Sequence, residues 1–175
     1  MNVVLIGYRC TGKTSVGRLL AEMGGRPFLD ADELVCRRAG KTIAEIVSAR
    51  GWEAFREEER SVIAEVSRLN GVVIATGGGV VLDPENIRNL KRNGRIVWLF
   101  ASAETIVERM AKDAAGRENR PPLSGGAPGN EVLKTLAQRE EMYRQSADMV
   151  VDTDALDQRE AAGAISRAMA EIFRI

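Results

Sequence analysis

Residues Gly7-Tyr8-Arg9-Cys10-Thr11-Gly12-Lys13-Thr14 follow the spacing G-x-x-x-x-G-K-[ST]. In such a loop the backbone N–H groups cradle phosphate, the lysine reaches the outer phosphates, and the hydroxyl ligates Mg²⁺. The loop follows the apolar run Val3–Ile6 and precedes Val16, Leu19, Leu20 and Met23 at helical spacing. A strand therefore delivers it to a helix N-terminus, where unpaired N–H groups and the helix dipole hold an anion. The plainer alternative, an ordinary glycine-rich turn, does not account for the Lys-Thr pair.

Four further groups can do chemistry. Asp30 and Asp32 alternate just past the short strand Pro27-Phe28-Leu29. One carboxylate can support Mg²⁺ while the other accepts a proton from an attacking hydroxyl. Either can instead cap the following helix. Ala75-Thr76 and Val97–Ala101, at the ends of two later strands, offer no acidic competitor, which strengthens the metal reading of Asp30. Arg56 has Glu59 three positions on, spaced to orient a guanidinium that clamps a carboxylate; a solvated charged face is the plainer reading. Gly77-Gly78-Gly79 directly follows a strand and lets backbone approach a ligand. Arg120, in a loop rich in proline and glycine, suits a lid over the γ-phosphate. Arg139, on a following helix, is a second candidate anion clamp.

The elements that must position these groups alternate along the chain. Strands are expected over 2–7, 27–29, 72–75, 96–100 and 149–151. Helices are expected over 13–24, 31–39, 42–50, 52–70, 84–93, from 102 to about 110, over 130–145 and at the C-terminus, with breaks at Gly40 and Gly51. Asp83-Pro84 should cap the helix that follows it. This order implies a parallel sheet covered on both faces, with ligands at the carboxyl ends of its strands.

The totals exclude several classes. The 175 residues suffice for one well-buried domain. With 25 basic and 25 acidic residues the net charge is zero, which argues against nucleic acid or a membrane surface as partner. There is no histidine, so histidine-based triads are impossible and a zinc site is not expected. No apolar run reaches spanning length and no signal peptide is visible. Cys10 and Cys36 read as free thiols in a reducing cytoplasm.

Taken in order, the phosphate loop, Asp30-Ala31-Asp32, Phe55-Arg56-x-x-Glu59, Ala75-Thr76-Gly77-Gly78-Gly79-Val80-Val81-Leu82, Arg120-Pro121 and Gln138-Arg139-Glu140-Glu141-Met142-Tyr143 resemble the shikimate kinase family, from Val3 to about Asp154. The resemblance implies an α/β, three-layer α/β/α P-loop NTPase fold similar to nucleoside monophosphate kinases, its five-stranded parallel sheet in the order 2-3-1-4-5. It implies a single kinase domain over 1–175, with a substrate-binding segment at about 31–60 and a lid at about 112–124. The activity implied is transfer of the γ-phosphate of MgATP to the 3-hydroxyl of shikimate, in aromatic amino-acid biosynthesis.

By the same resemblance, residues 7–14, Ser15, Arg120, Thr153 and Asp154 bind ATP, and Thr14 and Asp30 serve Mg²⁺. Asp32 is the base, working with Lys13 and Arg120 as the catalytic set. Asp32, Arg56, Glu59, Gly77, Gly78, Gly79 and Arg139 bind shikimate, with Val47 and Phe55 at apolar positions of that pocket. Arg109 and Arg117 are both open as a partner for adenine. A cytoplasmic monomer is expected. This chain departs from the family in carrying Cys10 where a third loop glycine is usual, which strains the loop if its φ is positive. It also has Pro122 in place of a lid leucine, and residues 112–119 read as slightly lengthened. Gluconate or nucleotide kinases of the same architecture are the nearest rivals; a nucleotide-binding regulatory protein is the rival from another class.

Overall fold

The apolar run Asn2–Ile6 forms strand β1, every residue of it buried. Successive side chains on a strand alternate between faces, so such a run belongs to a sheet covered on both sides. The computed structural model describes residues 1–113 and 128–172, and shows that arrangement. After β1 come α1 (Lys13–Gly24), β2 (Phe28–Asp30), α2 (Ala31–Ala39), α3 (Ile43–Val66) and β3 (Val73–Ala75). A short 3₁₀ turn at Val80–Leu82 leads to α4 (Pro84–Arg92), β4 (Gly94–Phe100), α5 (Ala103–Lys112), α6 (Pro128–Ser146), β5 (Met149–Asp152) and α7 (Gln158–Ile172).

All the strand pairings are parallel, in the order β2-β3-β1-β4-β5. Val4 and Ile6, with Ile74, Ile96 and Trp98, face a core shared with Val35, Phe55, Val62, Ile63 and Leu90. Val3, Leu5, Val97 and Leu99 face the opposite core, closed by Val16 and Leu20 of α1 and Ile165 and Met169 of α7. A third cluster gathers Tyr8, Ala101, Ile106 of α5 and Val132 of α6. It seats α5 and α6 at the carboxyl end of the sheet.

Local chemistry sets the element ends. Gly25 and Gly40 close α1 and α2 in the left-handed region, with φ 59° and 62°. Thr42 and Glu45 form a reciprocal capping box at the start of α3. The expected break at Gly51 is present: its φ 80° and ψ 172° are non-helical, so α3 is two helical stretches meeting at a kink. That helix stops at Val66, short of residue 70, so Leu69 lies beyond it and is exposed. Met23, expected on the apolar side of α1, is also exposed. Asp83 accepts from Glu85 N–H at 2.8 Å and caps α4 with Pro84 in the first turn.

Candidate functional site

The carboxyl ends of the strands open onto one cleft of about 1330 Å³. The phosphate loop forms one wall. Gly7 stands at φ 141°, and a Cβ there would lie 2.5 Å from the Leu99 carbonyl oxygen, so only glycine fits. Lys13 is folded into the loop, its ammonium donating to the carbonyls of Gly7 at 2.8 Å and Tyr8 at 2.6 Å. Thr11 Oγ1 donates to Tyr8 O at 2.9 Å. Arg9 pairs with Glu131 of α6 at 3.8 Å. Ser15 is exposed on the first turn of α1, at the cleft wall. Cys10 has φ 62°, the only positive value on a non-glycine among the described residues. Its Sγ lies 3.9 Å from Asp113 Oδ2.

Asp30 faces two ways. Its Oδ1 accepts from the N–H groups of Asp32 and Glu33 at 3.0 and 3.4 Å, capping α2. Its Oδ2 accepts from Thr14 Oγ1 at 2.8 Å. Helix capping and a carboxylate oxygen turned to the phosphate loop thus coexist in one side chain. A hydroxyl and a carboxylate side by side are donors that Mg²⁺ accepts, and Mg²⁺ commonly takes its remaining ligands from water and phosphate. Among the described residues there is no cluster of three or more His, Cys, Asp or Glu able to cage a metal unaided.

A second wall, adjoining the phosphate loop through Gly78, is built on the glycine triplet. A Cβ on Gly77 would lie 2.6 Å from Asp32 Oδ1 and 2.7 Å from Glu59 Oε1. One on Gly79 would lie 2.1 Å from Arg56 Nη2. The missing side chains are thus the space that two carboxylates and a guanidinium occupy. Arg56 Nη1 donates to Glu59 Oε2 at 2.6 Å, and the Arg56 guanidinium sits over the rings of Trp52 and Phe55 at 5.6 and 5.2 Å. Glu59 is only 1% exposed. Burial pushes its carboxyl above the usual range, with Arg56 pulling the other way. Arg139 of α6 donates to Gly78 O at 3.2 Å, and the Tyr143 hydroxyl donates to the same oxygen.

At the far end of the cleft, Arg109 donates to Thr153 Oγ1 at 3.0 Å, to Thr153 O at 2.6 Å and to Cys10 O at 3.4 Å. It therefore joins the phosphate loop to the turn after β5. The carboxylate of Asp154 accepts from Ser102 N–H at 2.9 Å, beside the start of α5.

The cleft therefore gathers the phosphate loop with Asp30, Asp32, Arg56, Glu59, Gly77, Gly78, Gly79, Arg139 and Thr153. Arg120, Arg117 and Pro122 lie outside the described residues, as does most of the expected lid. Val47 packs against the core while Trp52, unnamed by sequence reasoning, lines the cleft beside Phe55. Tyr143 was legible only as part of a motif; its signal was the four-residue offset from Arg139, which puts both on one helix face. Chemically, one half of the cleft suits an anionic phosphate chain with a cation. The other half offers guanidinium groups for a carboxylate, and carboxylates and backbone for hydroxyls.

Comparison with known proteins gives the same picture. A family model described as shikimate kinase matches residues 9–170. The chain is 45% identical over 174 residues to a shikimate kinase of Syntrophus aciditrophicus (strain SB), covering 95% of this chain and 89% of that one. It is 42% identical over 171 residues to one of Symbiobacterium thermophilum, covering 98% and 97%. Its structure is similar to that of shikimate kinase from Acinetobacter baumannii in complex with shikimate, with a TM-score of 0.90 and 34% identity over 97% of this chain and 93% of the other. These matches span the sheet and both walls of the cleft: the chain belongs to the shikimate kinase family.

Proposed function

We propose that the chain is an ATP-dependent small-molecule kinase that moves the γ-phosphate of MgATP to the 3-hydroxyl of shikimate, releasing shikimate 3-phosphate and ADP. The observation that carries this reading is the Arg56–Glu59 pair seated on Gly79 in the same cleft as Lys13. A phosphate site alone would serve any nucleotide-binding protein. A glycine-seated guanidinium in the same cleft serves a small acceptor with a carboxylate.

In this reading the backbone of residues 7–14 with Ser15 holds the triphosphate, and Lys13 leaves its carbonyl partners for the outer phosphates. Thr14 and Asp30 would hold Mg²⁺, Asp30 directly or through water; when bound, the ion neutralises charge building on the transferring group. Arg56 and Arg139 take the shikimate carboxylate, and Glu59 fixes the Arg56 fork. Asp32 accepts hydrogen bonds from the ring hydroxyls and takes the proton of the attacking one. The N–H groups of Gly78 and Gly79 meet the ring, and Gly77 leaves room for the Asp32 and Glu59 carboxylates. Arg120 closes over the phosphates, and Thr153 and Asp154 flank the adenine. The kinase is taken as one domain working as a cytoplasmic monomer, without nucleic-acid or membrane partners; the balanced charge supports this. Among the described residues, no helix is long and apolar enough to cross a membrane.

The reading is tested by ³¹P NMR of a mixture of protein, MgATP and shikimate. A new phosphomonoester resonance growing with ADP is expected. ADP accompanied only by inorganic phosphate would contradict it.

A further inference from the structure

Tyr143 is fully buried on α6, its ring stacked on Trp98 at 5.7 Å between centroids and 19° between planes. A phenylalanine would fill that place equally well, so packing alone does not call for the hydroxyl. The hydroxyl donates to Gly78 O, the oxygen that Arg139 Nη1 also reaches at 3.2 Å. Gly78 in turn lies against the phosphate loop: a Cβ there would be 3.3 Å from Arg9 N and 3.4 Å from Gly7 O.

The carbonyl of Gly78 and the N–H of Gly79 belong to one planar trans peptide and point in opposite directions. Two donors on the carbonyl therefore set the orientation of the Gly79 N–H. That N–H donates to no backbone acceptor among the described residues, and Gly79 lines the cleft beside Arg56. Without the second donor, a peptide flanked by glycines on both sides is free to rotate, and Arg139 alone would have to hold it while also binding a ligand.

Resting on the functional reading above, we infer that Tyr143 is a positioning residue for the acceptor. It clamps the Gly78–Gly79 peptide so that the Gly79 N–H meets the substrate, and it shares the Gly78 carbonyl so that Arg139 can turn toward the substrate carboxylate. Tyr143 does not touch the substrate. Its role is specific to the acceptor half of the cleft.

The test is Tyr143→Phe, which keeps the ring and removes the donor. KM for shikimate should rise about fivefold to tenfold, the worth of one buried hydrogen bond, while KM for ATP and kcat stay within about twofold. Loss of active protein with both KM values unchanged would show a merely structural role and overturn the inference. Should the Phe variant fail to fold, 3-fluorotyrosine at position 143 keeps ring and hydroxyl and strengthens the donor. KM for shikimate at or below the wild-type value is then expected, and a rise overturns the inference. Wild-type turnover run alongside separates the two levels. If the wild type does not phosphorylate shikimate, the functional reading fails and this inference with it. If the wild type does, and Tyr143→Phe leaves KM for shikimate unchanged, only the role of Tyr143 fails.

Discussion

Thr14 Oγ1 donates to Asp30 Oδ2 at 2.8 Å, so the last residue of the phosphate loop and the last residue of β2 meet side chain to side chain. The contact aligns a hydroxyl and a carboxylate, the pair proposed above to hold Mg²⁺. Because Asp30 also caps α2 through its other oxygen, on the proposed reading one residue would link metal support to the placement of Asp32.

Asp30→Asn separates those two tasks. Asparagine caps helices about as well as aspartate, so stability should stay within about 0.5 kcal/mol. The Mg²⁺ concentration giving half-maximal activity should rise about tenfold or more. A Mg²⁺ titration of initial rates, with a urea melt alongside, checks both. An unchanged Mg²⁺ requirement would remove Asp30 from the metal site.

Gly79→Ala tests the seat of the guanidinium. The new Cβ would lie 2.1 Å from Arg56 Nη2, so Arg56 must move. kcat/KM for shikimate should fall by about tenfold to hundredfold, as for a misplaced binding group, with KM for ATP unchanged. Arg56→Ala should give a similar loss, about tenfold to hundredfold, through missing charge-assisted hydrogen bonds. Steady-state kinetics in both substrates decides. If Arg56→Ala leaves kcat and KM intact, the carboxylate clamp is wrong.

Glu59 gives a pH signature. Burial raises its carboxyl above the ordinary range in the folded protein. Between about pH 4, where unfolded carboxylates titrate, and that raised value, the native state binds more protons than the unfolded one. Stability contributed at this site therefore falls as pH rises through the window. The stability of the wild type relative to Glu59→Gln should decline as pH increases from about 4. Urea denaturation of both proteins across a pH series reads this directly, and a difference that is flat or grows with pH would contradict it.

Cys10→Gly should stabilise the loop. A non-glycine residue in the left-handed region costs about 1–2 kcal/mol, and glycine returns about 0.5–1 kcal/mol of that as unfolded-chain entropy. The net gain expected in urea denaturation is about 0.5–1 kcal/mol, with activity retained. A loss of that size would show that the thiol's contact with Asp113 outweighs the backbone strain.

Much of this was legible in the chain itself, for stated reasons. The loop at 7–14 announces itself because phosphate binding demands fixed spacing of glycine, lysine and hydroxyl. The strand order follows from the family that the ordered motifs point to, and the alternation of apolar runs requires both faces of the sheet to be covered. What stayed hidden depends on contacts between distant positions. The dual role of Asp30 needs the geometry of both its oxygens, which spacing cannot supply. The seats of Asp32, Glu59 and Arg56 on Gly77 and Gly79 join segments 18 to 45 positions apart. Arg109, one of two candidates for the nucleotide base, binds Thr153 and Cys10, positions 44 and 99 residues away, which spacing does not reveal. The end of α3 at Val66 was overrun because Leu69 continues the apolar spacing after the helical hydrogen bonding has stopped.

The most direct measurement is ADP release by the purified protein with MgATP and, in parallel, shikimate, gluconate, quinate or nucleoside monophosphates. The account predicts turnover that depends on shikimate and exceeds that with every other acceptor. Turnover with gluconate and none with shikimate would contradict it, and nucleotide binding without turnover on any acceptor would leave a regulatory protein in its place.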